Sequence, residues 1–190
     1  MIKAAHRSRF CYTHPMPTNA EELKKIKDDI LSLTDSPLYA YRVENKYFPV
    51  IGEGSSDANL IFVGEAPGES EAKTAKPFYG RSGKLLDELL ASIGMDRKTV
   101  YITNLIKDRP PENRDPLPSE IELYGPFLDR QIEILKPRVI ATLGRHSMKY
   151  LFEKFGLGLE LQPISKIHGK EFKGKASYGE VILVALYHPA

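Results

Sequence analysis

The 190 residues carry 27 basic and 25 acidic side chains, a formal charge of +2, and are 42% hydrophobic. That balance fits one globular domain with a real core and confines any nucleic-acid footprint to a local basic patch. The single cysteine, Cys11, excludes an internal disulfide and any multi-cysteine metal site, and no apolar run is long enough for a membrane helix or a secretory signal. A cytoplasmic protein with no membrane partner is expected.

Residues 1–17 hold Lys3, Arg7 and Arg9 and no acid, and predict a flexible basic arm ahead of a single domain over residues 18–190. Thr18-x-x-Glu21 reads as a capping box opening a helix to about Leu33, with Leu23, Ile26, Ile30 and Leu33 at helical spacing. Pro37 and a turn at Gly52-Glu53-Gly54 lead to the apolar run Leu60-Ile61-Phe62-Val63. This run stops at Gly64-Glu65-Ala66-Pro67-Gly68, the pattern of a buried parallel strand ending in a tight loop. A phosphate-cradling loop would bring a lysine and a hydroxyl. Here three carboxylates, Glu65, Glu69 and Glu71, precede Lys73, which disfavours a phosphate.

Ser82 is the expected cap of a helix to Ile93, with Leu85, Leu86, Leu89, Leu90 and Ile93 as its buried stripe and Gly94 as its stop. Thr99 to Leu105 is β-branched and aromatic and reads as a second strand, with Asn104 at its carboxyl end. Lys107 to Pro118 is a polar loop with four prolines, unsuited to helix or central strand. Ser119 is the expected cap of a helix to about Leu135. Arg138 to Leu143 reads as a third strand, followed by a short helix through Met148, Leu151 and Phe152. Gly156 to Gly179 reads as a loop or hairpin, and Val181 to Leu186 as the last strand, ending in Tyr187-His188-Pro189-Ala190. Alternating strands and helices imply an α/β fold with a central four-stranded parallel sheet.

Ligands bind at the carboxyl ends of such strands. Glu65, Glu71, Phe78, Asn104 and His188 collect there. Singly, each has an ordinary explanation as a loop charge, a turn residue or a core ring. Together they form a set suited to a nucleobase: a ring to stack, an amide to pair with a base edge, an imidazole to meet developing negative charge, and carboxylates to hold water or a sugar cation.

Four segments carry a resemblance: GEAPGESE from Gly64, KPFYGRSGKLLDELL from Lys76, VYITNLIKDRPPENRDP from Val100, and HPA from His188. In this order they strongly resemble family 4 uracil-DNA glycosylases, over about Leu31 to Ala190. The resemblance implies a three-layer α/β/α fold and excision of uracil from DNA by base flipping and cleavage of the bond between base and deoxyribose. By it, Phe78 would stack on uracil, Asn104 would read its N3–H and O4, and His188 would steady the leaving anion. Glu65 would lie near the attacking water, Ala66 stands where other glycosylase families place an aspartate, and Glu71 would crowd the ring's C5 edge against thymine. Lys76, Arg81, Lys107, Arg109 and Arg114 flank these positions and are candidate phosphate contacts. The alternative is a non-catalytic or weakly active uracil- or DNA-binding relative.

The resemblance is incomplete in two respects. Members of the family hold an iron–sulfur cluster on four cysteines; the corresponding positions here read Leu33, Ser36, Asp108 and Tyr124, so no cofactor is expected. Relatives also continue past the His-Pro motif with a residue that wedges into DNA. The sequence given ends at Ala190, so single-stranded uracil-containing DNA is the favoured partner, with the protein expected to act as a monomer.

Overall fold

A computed structural model describes residues 16–189. Most of the expected N-terminal arm, and Cys11 with it, lies outside the described residues, as does Ala190. In chain order the helices are α1 (Asn19–Leu31), α2 (Tyr39–Glu44), α3 (Glu69–Thr74), α4 (Arg81–Ser92), α5 (Pro118–Leu135), α6 (Arg145–Lys154) and α7 (Ile164–Ile167). The strands are β1 (Glu53–Gly54), β2 (Leu60–Gly64), β3 (Tyr101–Asn104), β4 (Val139–Leu143), β5 (Glu171–Ala176) and β6 (Gly179–Leu186).

The strands form one sheet in the order β1-β3-β2-β4-β6-β5. Its centre is the expected set of four parallel strands: β2 lies between β3 and β4, and β4 pairs onward with β6. One edge was not expected: the Gly52–Gly54 turn contains a two-residue strand antiparallel to β3. At the other, the Gly156–Gly179 excursion takes the hairpin alternative, supplying β5 antiparallel to β6.

Strand alternation sends side chains to two helical layers. Ile61, Val63, Ile140, Val181, Leu183 and Ala185 face α5 and α6, meeting Tyr124, Leu128, Ile132, Leu151 and Phe152. Phe62, Ile102, Ala141 and Leu143 point the other way, onto Leu86 and Leu90 of α4. The architecture is thus α/β/α. Among the described residues no helix is long and apolar enough to cross a membrane.

The capping box of α1 is present, with Thr18 and Glu21 exchanging hydrogen bonds. Two other expected caps are corrected. Gly80 rather than Ser82 precedes α4, and Leu117 rather than Ser119 precedes α5. In both cases a glutamate supplies the acceptor: Glu71 takes the Tyr79 and Gly80 N–H groups at 2.9 and 2.8 Å, and Glu120 takes the Leu117 N–H at 2.8 Å. The buried stripe of α4 is also narrower than expected. Leu86 and Leu90 are buried, but Leu85, Leu89 and Ile93 are exposed, because five apolar residues span more of the helix than one sheet face covers.

Candidate active site

The carboxyl ends of β2, β3 and β6 open on a cleft of about 350 Å³ whose walls include Glu65, Glu71, Phe78, Asn104 and His188. All five residues expected from the sequence therefore converge, with Ala66 beside them. Parallel register sets two of them: Gly64, just before Glu65, pairs with Asn104. The ladder continues past the strands, since the Ile106 N–H donates to the Glu65 carbonyl at 2.9 Å.

Asn104 is 2% exposed, and among the described residues nothing hydrogen-bonds its side-chain amide. The amide opens on the cleft, leaving a donor and an acceptor there for a ligand to satisfy. Phe78 sits at φ +47°, an outlying conformation for a bulky residue. Its ring lies 5.7 Å from the His188 imidazole, tilted by 31°. Both approaches require Gly64, because a methyl there would run into the Asn104 side-chain oxygen and stand 2.6 Å from Phe78 Cζ.

Glu65, just after β2, and Glu71, in α3, each meet a helix N-terminus. Glu65 Oε1 accepts the His146 N–H at 3.0 Å, at the N-terminus of α6, and Glu71 does the same at α4. Gly144 makes the first approach possible, since a Cβ at its φ of +108° would stand 2.8 Å from Glu65 Cδ. Each carboxylate keeps one oxygen clear of these backbone bonds. Burial holds the His188 pKa below its usual value, although Glu65 and Glu71 pull it upward. The imidazole is accordingly neutral near pH 7.

The Pro-rich loop reaches the cleft, as expected for Arg114, and also brings Asn113 and Asp115, which were not anticipated. Asp115 pairs with Arg145 and lies 3.4 Å from His146 Nε2. Glu65, Asp115 and His146 offer ligand atoms within 4.8 Å of one another, but the Arg145 guanidinium already stands on Asp115. Nothing in the sequence marked this cluster, which arises where a loop meets a helix start 30 residues later.

The candidate phosphate contacts divide. Lys76 and Arg81 are exposed along a groove that begins at Phe78 and includes Tyr79 and Lys84. Arg114 is partly exposed at the rim and paired with Glu120 at 2.6 Å. Lys107 does not belong in this set. It is fully buried, and its Nζ donates inward to Thr103, the Asn104 carbonyl and Gln131, out of reach of any phosphate. Arg109 is also committed, its side chain 9% exposed, donating to the Tyr47 hydroxyl at 2.6 Å and to Asn113 at 2.8 Å.

A family model of the uracil DNA glycosylase superfamily matches residues 51–190. A type-4 uracil-DNA glycosylase of Sulfurisphaera tokodaii is 45% identical over 171 residues, covering 90% of this chain and 75% of the relative. The chain belongs to the uracil-DNA glycosylase superfamily. Type-4 enzymes of Archaeoglobus fulgidus and Thermotoga maritima are 44% and 43% identical, covering 90% and 73% of this chain and 82% and 70% of theirs.

In this superfamily member, the positions that the sequence resemblance assigns to cluster ligands do not fit an iron–sulfur group. Leu33 has no donor atom and packs against the core. Ser36 Oγ lies 2.7 Å from the Tyr124 hydroxyl, which donates to Asp108 Oδ2 at 2.6 Å, and Arg42 Nη1 reaches that same oxygen at 3.1 Å. These are hard oxygen groups already satisfied by one another, where a cluster takes thiolates. Their convergence ties the segment before α2, the start of the Pro-rich loop and the middle of α5 into one buried point.

Proposed function

We propose that the protein hydrolyses the bond between uracil and deoxyribose in DNA, with the flipped nucleotide seated in the Glu65–Phe78–Asn104–His188 cleft. The observation that carries this reading is the Asn104 amide, buried and open to the cleft with no hydrogen-bond partner among the described residues. Uracil satisfies it, giving N3–H to the amide oxygen and accepting at O4 from the amide nitrogen. Cytosine would set an amino group against a donor and offer no N3–H, a mismatch that such sites reject by about 10⁴-fold or more.

In this reading Phe78 stacks on the base and Glu71 crowds its C5 edge. The C1′–N1 bond breaks with both electrons leaving on N1, and neutral His188 donates a hydrogen bond to the uracil anion. Water held at Glu65 adds its oxygen to C1′ and yields a proton to solvent, while uracil takes one up. Lys76 and Arg81 would track the strand's phosphates, and since Ala66 carries no acid, Glu65 is the carboxylate that the loop after β2 offers to the water. The protein is taken to act in the cytoplasm, as a monomer, preferentially on single strands and without an iron–sulfur cluster. The last point is supported by the mutually satisfied Ser36, Asp108 and Tyr124 side chains.

The test is release of free uracil from single-stranded and duplex uracil-containing oligonucleotides, before and after chelator treatment, with Asn104→Ala and His188→Ala beside the unaltered protein. Release that drops about 100-fold or more in both variants and ignores the chelator is expected. Tight oligonucleotide binding with no release would instead identify a non-catalytic relative.

A further inference from the structure

Lys107 is fully buried directly behind Asn104 and touches no carboxylate among the described residues. Its Nζ lies 2.8 Å from Thr103 Oγ1, 2.6 Å from the Asn104 carbonyl oxygen and 2.7 Å from Gln131 Oε1. All three face it as acceptors. The Thr103 hydroxyl gives its own proton to the Ile51 carbonyl at 2.7 Å, and the Gln131 amide donates through Nε2 to the same carbonyl at 2.8 Å. A neutral amine would turn its lone pair on one of these oxygens, whereas an ammonium satisfies all of them.

These hydrogen bonds favour the ammonium although it has no counter-ion among the described residues, while burial opposes it and pushes its pKa well below the usual value. The adjacent carboxylate, Asp108, is spent on Arg42 and Tyr124. A methionine of similar length would bury no charge but would leave Gln131 Oε1 and the Asn104 carbonyl without this donor, so the amine has a structural role. Its position gives it a further one. The reaction creates negative charge on uracil, while the cleft walls carry the carboxylates Glu65 and Glu71, which oppose that charge. Lys107 stands behind the residue that faces the base, in a low dielectric where a fixed charge acts strongly.

We infer that Lys107 is a positioning residue that acts through Asn104, its ammonium biasing the cleft toward the uracil anion. It touches the Asn104 backbone and not the base. The inference rests on the uracil-releasing reading above, and it predicts a change in the leaving group's acidity as well as in rate.

Two variants test it. Lys107→Met removes the charge, and Gln131→Glu places a carboxylate 2.7 Å from the ammonium and neutralises it in place. In both, kcat for uracil release from a single-stranded oligonucleotide should fall about 10-fold or more while KM stays within about twofold. The pH at which protein-bound uracil loses its N1 proton, read by ultraviolet absorbance, should rise by about one unit, a factor of ten in that equilibrium. An unchanged kcat and an unchanged N1 acidity in Gln131→Glu overturn the proposal, and so does loss of uracil binding in Lys107→Met alone, which marks a mere strut. If Lys107→Met does not fold, Gln131→Glu decides. If the unaltered protein releases no uracil, the functional reading has failed; N1 of bound uracil no more acidic than in solution then overturns this inference as well.

Discussion

The Phe78 ring and the His188 imidazole face one another 5.7 Å apart, the first from a strained loop and the second from the end of β6. Neither element positions its ring alone. The Phe78 ring, like the Asn104 amide, depends on the clearance that Gly64 leaves in the cleft floor. Gly64→Ala should therefore behave as a functional lesion: its added methyl displaces Phe78 and Asn104 together. Uracil release should fall about 100-fold, with a stability loss of about 1–3 kcal/mol in urea titrations. Full activity in Gly64→Ala would show that the two side chains need not hold these positions.

Phe78→Ala separates stacking from clearance. A base stacked on an aromatic ring gains about 1–3 kcal/mol, so uracil release at subsaturating substrate should drop about 10- to 100-fold. The backbone at residue 78 remains at positive φ in this variant, and a steady-state comparison of Phe78→Ala with Phe78→Tyr checks that the ring, not the turn, is responsible.

The polar tie of Ser36, Tyr124, Asp108 and Arg42 is a stability element. Tyr124→Phe deletes the hydroxyl that joins Ser36 to Asp108 and should cost about 1–3 kcal/mol. Arg42→Ala leaves the Asp108 carboxylate, already pushed up by burial, without its cation, and should cost about 3–5 kcal/mol. Equal unfolding midpoints for Tyr124→Phe and the unaltered protein would refute the role.

Acid should loosen the Pro-rich loop from its other end. Burial works to raise the Glu120 pKa, but the Arg114 pair and the Leu117 N–H outweigh it and hold the carboxyl below its usual value of 4.5. A carboxyl depressed in the fold contributes stability above about pH 4.5 and loses it as pH falls through the folded value. The stability gap between the unaltered protein and Glu120→Gln should thus shrink between pH 6 and about pH 3. His188 has the same sign for a different reason: its neutral form is favoured, so its contribution is intact above pH 6.5 and lost on acidification. Its ring proton resonances should titrate below that value.

Salt distinguishes the basic residues. Lys76→Ala and Arg81→Ala should each reduce the slope of log affinity against log salt by about one, as expected for a phosphate contact. Lys107→Met should leave that slope unchanged.

The four central strands were legible because each is a short apolar run closed by a turn residue, and Glu65, Asn104 and His188 because they stand at or just past the ends of those runs. What tertiary structure decides was not legible. Ser82 and Ser119 are good capping residues in isolation, yet Glu71 and Glu120 supply the caps, and for α4 the acceptor lies nine residues upstream of Gly80. Lys107 and Arg114 look alike in a polar, proline-rich stretch, and only the closing of Gln131 and Thr103 over the former makes it interior. Edge strand β1 was not legible because it is two residues long, and β5 was legible only as one of two alternatives, loop or hairpin, because it is rich in lysine and glycine.

The buried tie at Tyr124 is built from oxygen and nitrogen atoms alone. A fastening of that kind presents no inorganic sulfide for peroxide or superoxide to attack and asks nothing of cellular iron supply. The loop it fastens should then hold through peroxide treatment, which equal unfolding midpoints with and without peroxide would check.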